Sequence, residues 1–166
     1  MRATRLLLTA ALAATGCYVH YDHDDCWNAA TVVRIVDAGE ISCLAIFPGY
    51  NAEAWMIDSD ADWVAFWEAH AGCWPAPVPP PPPADLARET IVAVVAGDRT
   101  TTGYQVVIDG VWRCDDILEI RATERVPGPG CAVTPGTTRP YQILAVQGHY
   151  DTLWFSRYRF ETYGCP

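Results

Sequence analysis

Apolar and polar residues along the chain fall into short stretches separated by turn-forming clusters, and the period within each stretch predicts its element. Residues 31–36 and 41–47 are rich in β-branched residues and flank Asp37-Ala38-Gly39-Glu40, which predicts a hairpin closed off by Pro48-Gly49. Residues 52–57 predict a third strand. Asp58-Ser59-Asp60 then offers helix N-caps with acidic residues in the first turn. Trp63, Phe66, Trp67 and His70 follow at the i, i+3, i+4, i+7 spacing of one buried helix face, and Gly72 stops the helix. On that apolar face His70 is expected as a core residue rather than a ligand.

Residues 75–83 are dominated by proline and predict a stiff polyproline II connector. Residues 90–96 are apolar on both faces, the pattern of a central strand. Residues 104–112 and 117–123 alternate about Cys114-Asp115-Asp116 and predict a second hairpin, and residues 141–147 and 153–160 complete the sheet. The expected fold is α+β: a mainly antiparallel, barrel-like sheet of about six to eight strands with one Trp-rich helix. The chain has 166 residues, which favours one domain, expected over residues 30–166.

The first 16 residues change the picture. Arg2 and Arg5 precede a short apolar run and then small residues, the anatomy of a signal peptide and too short for a membrane span. The segment closes on Ala13-Ala14-Thr15-Gly16-Cys17, which resembles the bacterial lipobox, with Ala14 where that motif prefers Leu. Lipidation of Cys17 leaves Cys26, Cys43, Cys73, Cys114, Cys131 and Cys165, an even set, whereas cleavage after Ala13 leaves a free thiol; parity favours the lipoprotein. These six are the disulfide candidates, with up to three bridges and their pairing open. A zinc site is discounted, because no pair has Cys-x-x-Cys spacing.

Residues 17–29 are expected to tether the domain to the anchor. His20 and His23 among aspartates could ligate a metal, which keeps an envelope ligand- or metal-binding module as one alternative. The net charge of −9, with arginine the sole Lys/Arg-type cation, excludes nucleic acid as a partner. Ser42, Ser59 and Ser156 lie outside any Gly-x-Ser-x-Gly turn, and His149 beside Asp151 is expected to cap a turn. No catalytic residue, metal or cofactor is expected.

What remains is a cluster of polar, Gly-rich and aromatic turns between residues 96 and 146. A Tyr beside a Gly at a turn tip is a rigid amphipathic anchor, and Arg with Tyr is a hot-spot pairing of interfaces. Thr101, Thr102, Gly103, Tyr104, Arg139, Pro140 and Tyr141 are therefore the candidate protein-binding set. The level alternative is that Tyr104 and Tyr141 start strands and point into the core.

Residues 90–96, Gly97-Asp98-Arg99, Thr102-Gly103-Tyr104, Pro127-Gly128-Pro129-Gly130-Cys131 and Pro140-Tyr141 occur in an order that resembles the C-terminal domain of PrcB-type protease-complex subunits. With the strand and helix of residues 53–70, the likeness spans about residues 52–147. The family usually has Gly where this chain has Thr102. The resemblance implies an exported, often lipid-anchored, non-catalytic subunit in the cell envelope whose partner is a secreted protease. Thr101-Thr102-Gly103-Tyr104, Gly128-Pro129-Gly130 and Arg139-Pro140-Tyr141 are also similar in order to the loops of chagasin-type protease inhibitors, which implies a loop-based inhibitor as a further alternative.

Overall fold

The computed structural model describes residues 28–48 and 50–165. Cys17, Cys26, His20, His23 and the expected signal peptide lie outside the described residues. In chain order the elements are β1 (Asn28–Ala29), β2 (Val32–Gly39), β3 (Ala52–Ile57), α1 (Asp60–Ala71), β4 (Glu89–Ala96) and β5 (Arg99–Thr101). They continue with β6 (Gln105–Cys114), β7 (Ile117–Pro127), β8 (Pro135–Thr138), β9 (Tyr141–Gln147) and β10 (Thr152–Tyr163). One sheet has the order β1-β6-β7-β10 and a second the order β2-β9-β4-β3, while β5 and β8 form a two-stranded ribbon.

The sheets do not close into the expected barrel. Every residue of β4 is buried, as is all of β9 except Gln147. Strands with two apolar faces must be covered on both sides, which produces layers instead of closure. Val92, Val94, Ala96, Leu144 and Val146 face the first sheet, where they pack with Val106, Leu118, Ile120 and Ala122. Ile91, Ala93, Val95, Ile143 and Ala145 face α1 and pack with Trp63, Phe66, Trp67 and Ala71. The α+β class and the predominance of antiparallel pairing hold, with one exception. β10 runs parallel to β7 over its whole length, so the chain passes through β8 and β9 before returning to the first sheet.

The predicted helix forms because both of its ends are specified locally. Ser59 is the N-cap, its Oγ accepting from the Asp62 N–H at 3.2 Å, and Gly72 is the C-cap. The proline-rich connector lies along the helix: Trp63 and Trp67 donate from Nε1 to the carbonyls of Pro82 (3.0 Å) and Pro79 (2.9 Å). Indole N–H groups that would be orphaned in the core thus find acceptors that proline, lacking an N–H, cannot use in a ladder.

The first predicted hairpin is corrected. β2 runs through Asp37 and Gly39, where a turn was expected, and pairs with β9 rather than with residues 41–47. Two bulges absorb the extra residues in β2. Asp37 is no turn residue here, because its carboxylate accepts the Tyr141 hydroxyl at 2.9 Å. Residues 41–47 form no strand and touch a neighbour as one only through a bridge between Ile41 and Arg139. The second hairpin forms as expected, with Asp115 in the left-handed region at φ 52°.

Cys43–Cys73 and Cys131–Cys165 are disulfides, with Cα–Cα distances of 5.6 and 5.0 Å, and Cys114 is also disulfide-bonded. The first bridge ties residues 41–47 to the C-terminal end of α1.

Candidate functional site

The turns singled out in the sequence converge at one end of the two sheets, together with residues 40–50. Glu40 organises the junction: its side chain accepts the Gly103 N–H at 2.6 Å and its carbonyl accepts the Arg139 N–H at 2.8 Å. Gly103 adopts φ 97°, which favours glycine, and its carbonyl accepts the Tyr163 hydroxyl at 2.7 Å. Thr102 and Thr134 exchange two hydrogen bonds of 2.9 Å, one from each backbone N–H. Thr138 Oγ1 donates to the Thr101 carbonyl at 2.9 Å. The loops are therefore braced by one another and by the end of β10, and they form a rigid face.

The seven candidate residues divide by burial. Pro140 and Tyr141 are buried, so the Arg-Pro-Tyr turn does not project. The Tyr141 ring meets His70 edge-on with centroids 4.3 Å apart, and burial followed by the Asp37 carboxylate pushes its hydroxyl well above the usual phenol range. For Tyr141 the core reading of the sequence applies. Thr101, Thr102, Gly103, Tyr104 and Arg139 are partly exposed. The Arg99 guanidinium lies 5.9 Å from the Tyr104 ring centre. Arg139 pairs through Nε with the exposed Asp98 carboxylate and donates from Nη1 to the Cys43 carbonyl at 3.3 Å.

Residues that the sequence did not single out complete the face. Phe47 is 71% exposed and Tyr50 67%, and they rim an open cleft of about 300 Å³ lined also by Ala45, Ile46, Pro48, Gly97, Asp98 and Arg139. Large aromatic side chains left this bare at a rigid cleft, beside an arginine, have the composition of an interface centre. The available signal was Phe47-Pro48-Gly49-Tyr50, aromatics flanking a turn, which hydrophobic periodicity assigned to a strand end.

Beneath this face Arg99 reaches a carboxylate with no solvent exposure, that of Glu124. Its Nη2 donates to Oε2 at 2.6 Å and its Nε to Oε1 at 2.5 Å, and the Tyr158 hydroxyl donates to Oε2 at 2.5 Å. The Glu124 hydrogen bond raises the Arg99 pKa, and burial, then Glu124, pushes the Tyr158 hydroxyl well above its ordinary value. Ser42 and His70 form a second buried pair, Oγ to Nδ1 2.9 Å, while His70 Nε2 has no hydrogen-bond partner among the described residues. Both residues are buried, His70 against Trp67, Trp74 and Tyr141, and the pair holds residues 41–47 to α1. His149 Nε2 lies 3.1 Å from the Ala87 carbonyl, a contact that ties its turn to the segment before β4.

Burial lowers the His70 pKa to about 4, against a smaller opposing pull from Asp37. A neutral buried imidazole means that the unfolded chain takes up its proton first, near 6.5. Stability contributed by this group is complete above that pH and is lost as the pH falls towards 4, by about 3 kcal/mol in all. Urea unfolding at pH 7 and pH 4.5 should therefore show a steeper acid loss in the wild type than in His70→Gln. Equal losses in the two proteins would place the acid sensitivity in the carboxylates instead.

Among the described residues no helix is long and apolar enough to cross a membrane, and no group of three or more His, Cys, Asp or Glu could hold a metal ion. Residues 90–147 match the family model described as PrcB C-terminal, from β4 to the end of β9. β3 and α1, to which the sequence resemblance extended, lie outside the matched residues. No curated protein and no solved structure matches the chain.

Proposed function

We propose, from the match of residues 90–147 to the PrcB C-terminal family model, that this chain is an accessory subunit of a protease complex. In this reading it is exported, lipid-anchored through Cys17 in the cell envelope and non-catalytic, and it binds a secreted protease that it tethers or stabilises. The observation that carries the binding role is the exposure of Phe47 and Tyr50 at a cleft walled by Arg139 and Asp98. Thr101, Thr102 and Tyr104 extend that face. The inhibitor alternative draws less support, because Pro140 and Tyr141 are buried and cannot enter a protease cleft.

The test is purification of the lipidated protein from its own cells in mild detergent, with identification of what accompanies it. A protease should be recovered with the wild type. Recovery should fall at least 10-fold with Phe47→Ala plus Tyr50→Ala, at an unchanged thermal midpoint, since loss of a central hot spot costs about 2 kcal/mol or more. Undiminished recovery moves the interface off this cleft, and the absence of any protease from the wild-type preparation overturns the accessory role.

A further inference from the structure

The chain has 7 cysteines, and Cys43–Cys73 and Cys131–Cys165 account for four of them. Cys114 is also disulfide-bonded, so its partner is Cys17 or Cys26. The register of β1 on β6 decides between them. Asn28 faces Arg113, Ala29 faces Trp112, and the Ala30 N–H donates to the Val111 carbonyl at 3.0 Å. Continued one step, this antiparallel register sets position 27 opposite Cys114, which leaves Cys26 a single residue from the facing position. A disulfide needs Cα atoms about 4.4–6.8 Å apart and paired strands lie about 4.8 Å apart, so Cys26 is within reach. Cys17 lies nine residues further back.

Cys114 ends β6 at the pole of the sheets opposite the cleft. β6 starts at Gln105, beside Gly103 and Tyr104, and its 10 residues extend about 30 Å. The turns before β4 and β10 gather at the Cys114 pole: the Gly148 N–H donates to the Arg88 carbonyl and the Asp151 N–H to the Asp116 carbonyl, each at 2.8 Å. Exposed acidic residues dominate there. Asp58, Asp62, Asp85, Asp115, Asp116 and Asp151 stand with Arg88 and Arg113, whereas the other pole bares Phe47 and Tyr50.

We propose that Cys26 and Cys114 form the third disulfide and that it turns the acidic pole towards the membrane, so that the cleft takes its protein partner from the aqueous side rather than from within the bilayer. The inference rests on the accessory-subunit reading above, with its anchor at Cys17, and names the side from which the partner binds. A strand of 2 residues peels easily, and a covalent link to β6 prevents it. The leash from Cys17 to Cys26 is then nine residue steps, at most about 30 Å. Asp22, Asp24 and Asp25 on the leash, like the acidic pole itself, are repelled by anionic headgroups and keep the domain upright. Leash and β6 together set the cleft about 30–60 Å from the bilayer.

The bridge is read on the lipidated protein, purified from its own cells in mild detergent, alkylated without reduction and digested with a protease that cleaves before aspartate. That cleavage separates residues 17–21 from 25–36 and releases 109–114. Residues 109–114 should be recovered joined to 25–36, with the acyl chains on 17–21. The orientation is read in vesicles that carry an acceptor dye on their headgroups. A donor dye is attached through an azide-bearing residue at Asp116, on the acidic pole, or at Gly136, an exposed position of β8 with open space around it at the cleft pole. Energy transfer should be at least about 2-fold greater from position 116 than from 136, given the length of β6 between the poles.

Linkage of 109–114 to 17–21 overturns the proposal and the anchor with it, because that thiol is then not free for acylation. A free Cys114 thiol, an unacylated Cys17, or equal or inverted transfer from the two dyes also overturns it. A protease that accompanies the wild type while the dyes transfer equally removes the orientation and leaves the accessory role standing. The expected bridge and transfer without any co-purifying protease keep the orientation and remove that role.

Discussion

Arg99→Met should lower the free energy of unfolding by about 3–5 kcal/mol, the usual cost of leaving one member of a buried ion pair alone. Glu124 has no solvent exposure and draws two of its hydrogen bonds from this arginine, so the variant strands a carboxylate with only the Tyr158 hydroxyl. Pairing the change with Glu124→Leu should recover most of the loss, because the apolar pair no longer needs compensation. The coupling from urea unfolding of wild type, both single variants and the double variant is the decisive quantity. Independent effects would mean that the pair contributes packing alone. Because Arg99 also lies beside Tyr104, the single variant should loosen the candidate face as well as the core.

Removal of the Cys43–Cys73 bridge should cost about 3 kcal/mol, since it closes a loop with a sequence separation of 30 that would otherwise be free in the unfolded chain. The check is Cys43→Ser plus Cys73→Ser, compared with wild type by chemical denaturation and hydrogen exchange. Residues 41–47 lie outside the sheets, held by this bridge, by Ser42 on His70, and by Trp74 Nε1 donating to the Ile41 carbonyl at 2.8 Å. Amides there should open ahead of those in α1. A uniform loss across both segments would show that the bridge acts only through the unfolded state.

Elements whose partners lie close in sequence were legible. α1 carries its own cap and stripe, β6 and β7 join through a tight turn, and β4 announces two-sided burial by having no polar alternation. The misread hairpin shows where such reasoning stops. Alternation in residues 31–36 and 41–47 indicates extended chain with one face inward, but it does not name the neighbour. β2 finds β9, more than 100 residues away, because the edge of β9 left open by β4 carries backbone N–H and C=O groups that need a partner. Asp37 and Gly39 resemble turn residues until Tyr141 supplies the hydroxyl that fixes Asp37 inside a strand.

The site was legible in the same partial way. Gly103 and Thr102 marked real turns, because positive φ and side-chain to backbone bonds are local properties. Arg139 and Tyr141 are near neighbours on one strand entry with opposite fates, and only the packing of α1 decides which is covered. Phe47 and Tyr50 went unnoticed because exposure of an aromatic is a property of the assembled fold.

The parallel alliance of β10 with β7 also has a consequence in time. Leu153, Phe155 and Tyr158 cover the core of the first sheet, Tyr158 completes the shell of Glu124, and Tyr163 steadies Gly103. All are synthesised after β6 and β7, the strands they complete. A chain emerging from its N-terminus can close the β6–β7 hairpin early, but it holds a bare edge and an undressed buried charge until β10 arrives. Maturation of this domain is thus gated by β10, and a nascent chain paused before Thr152 is the species most exposed to proteolysis and to chaperone capture.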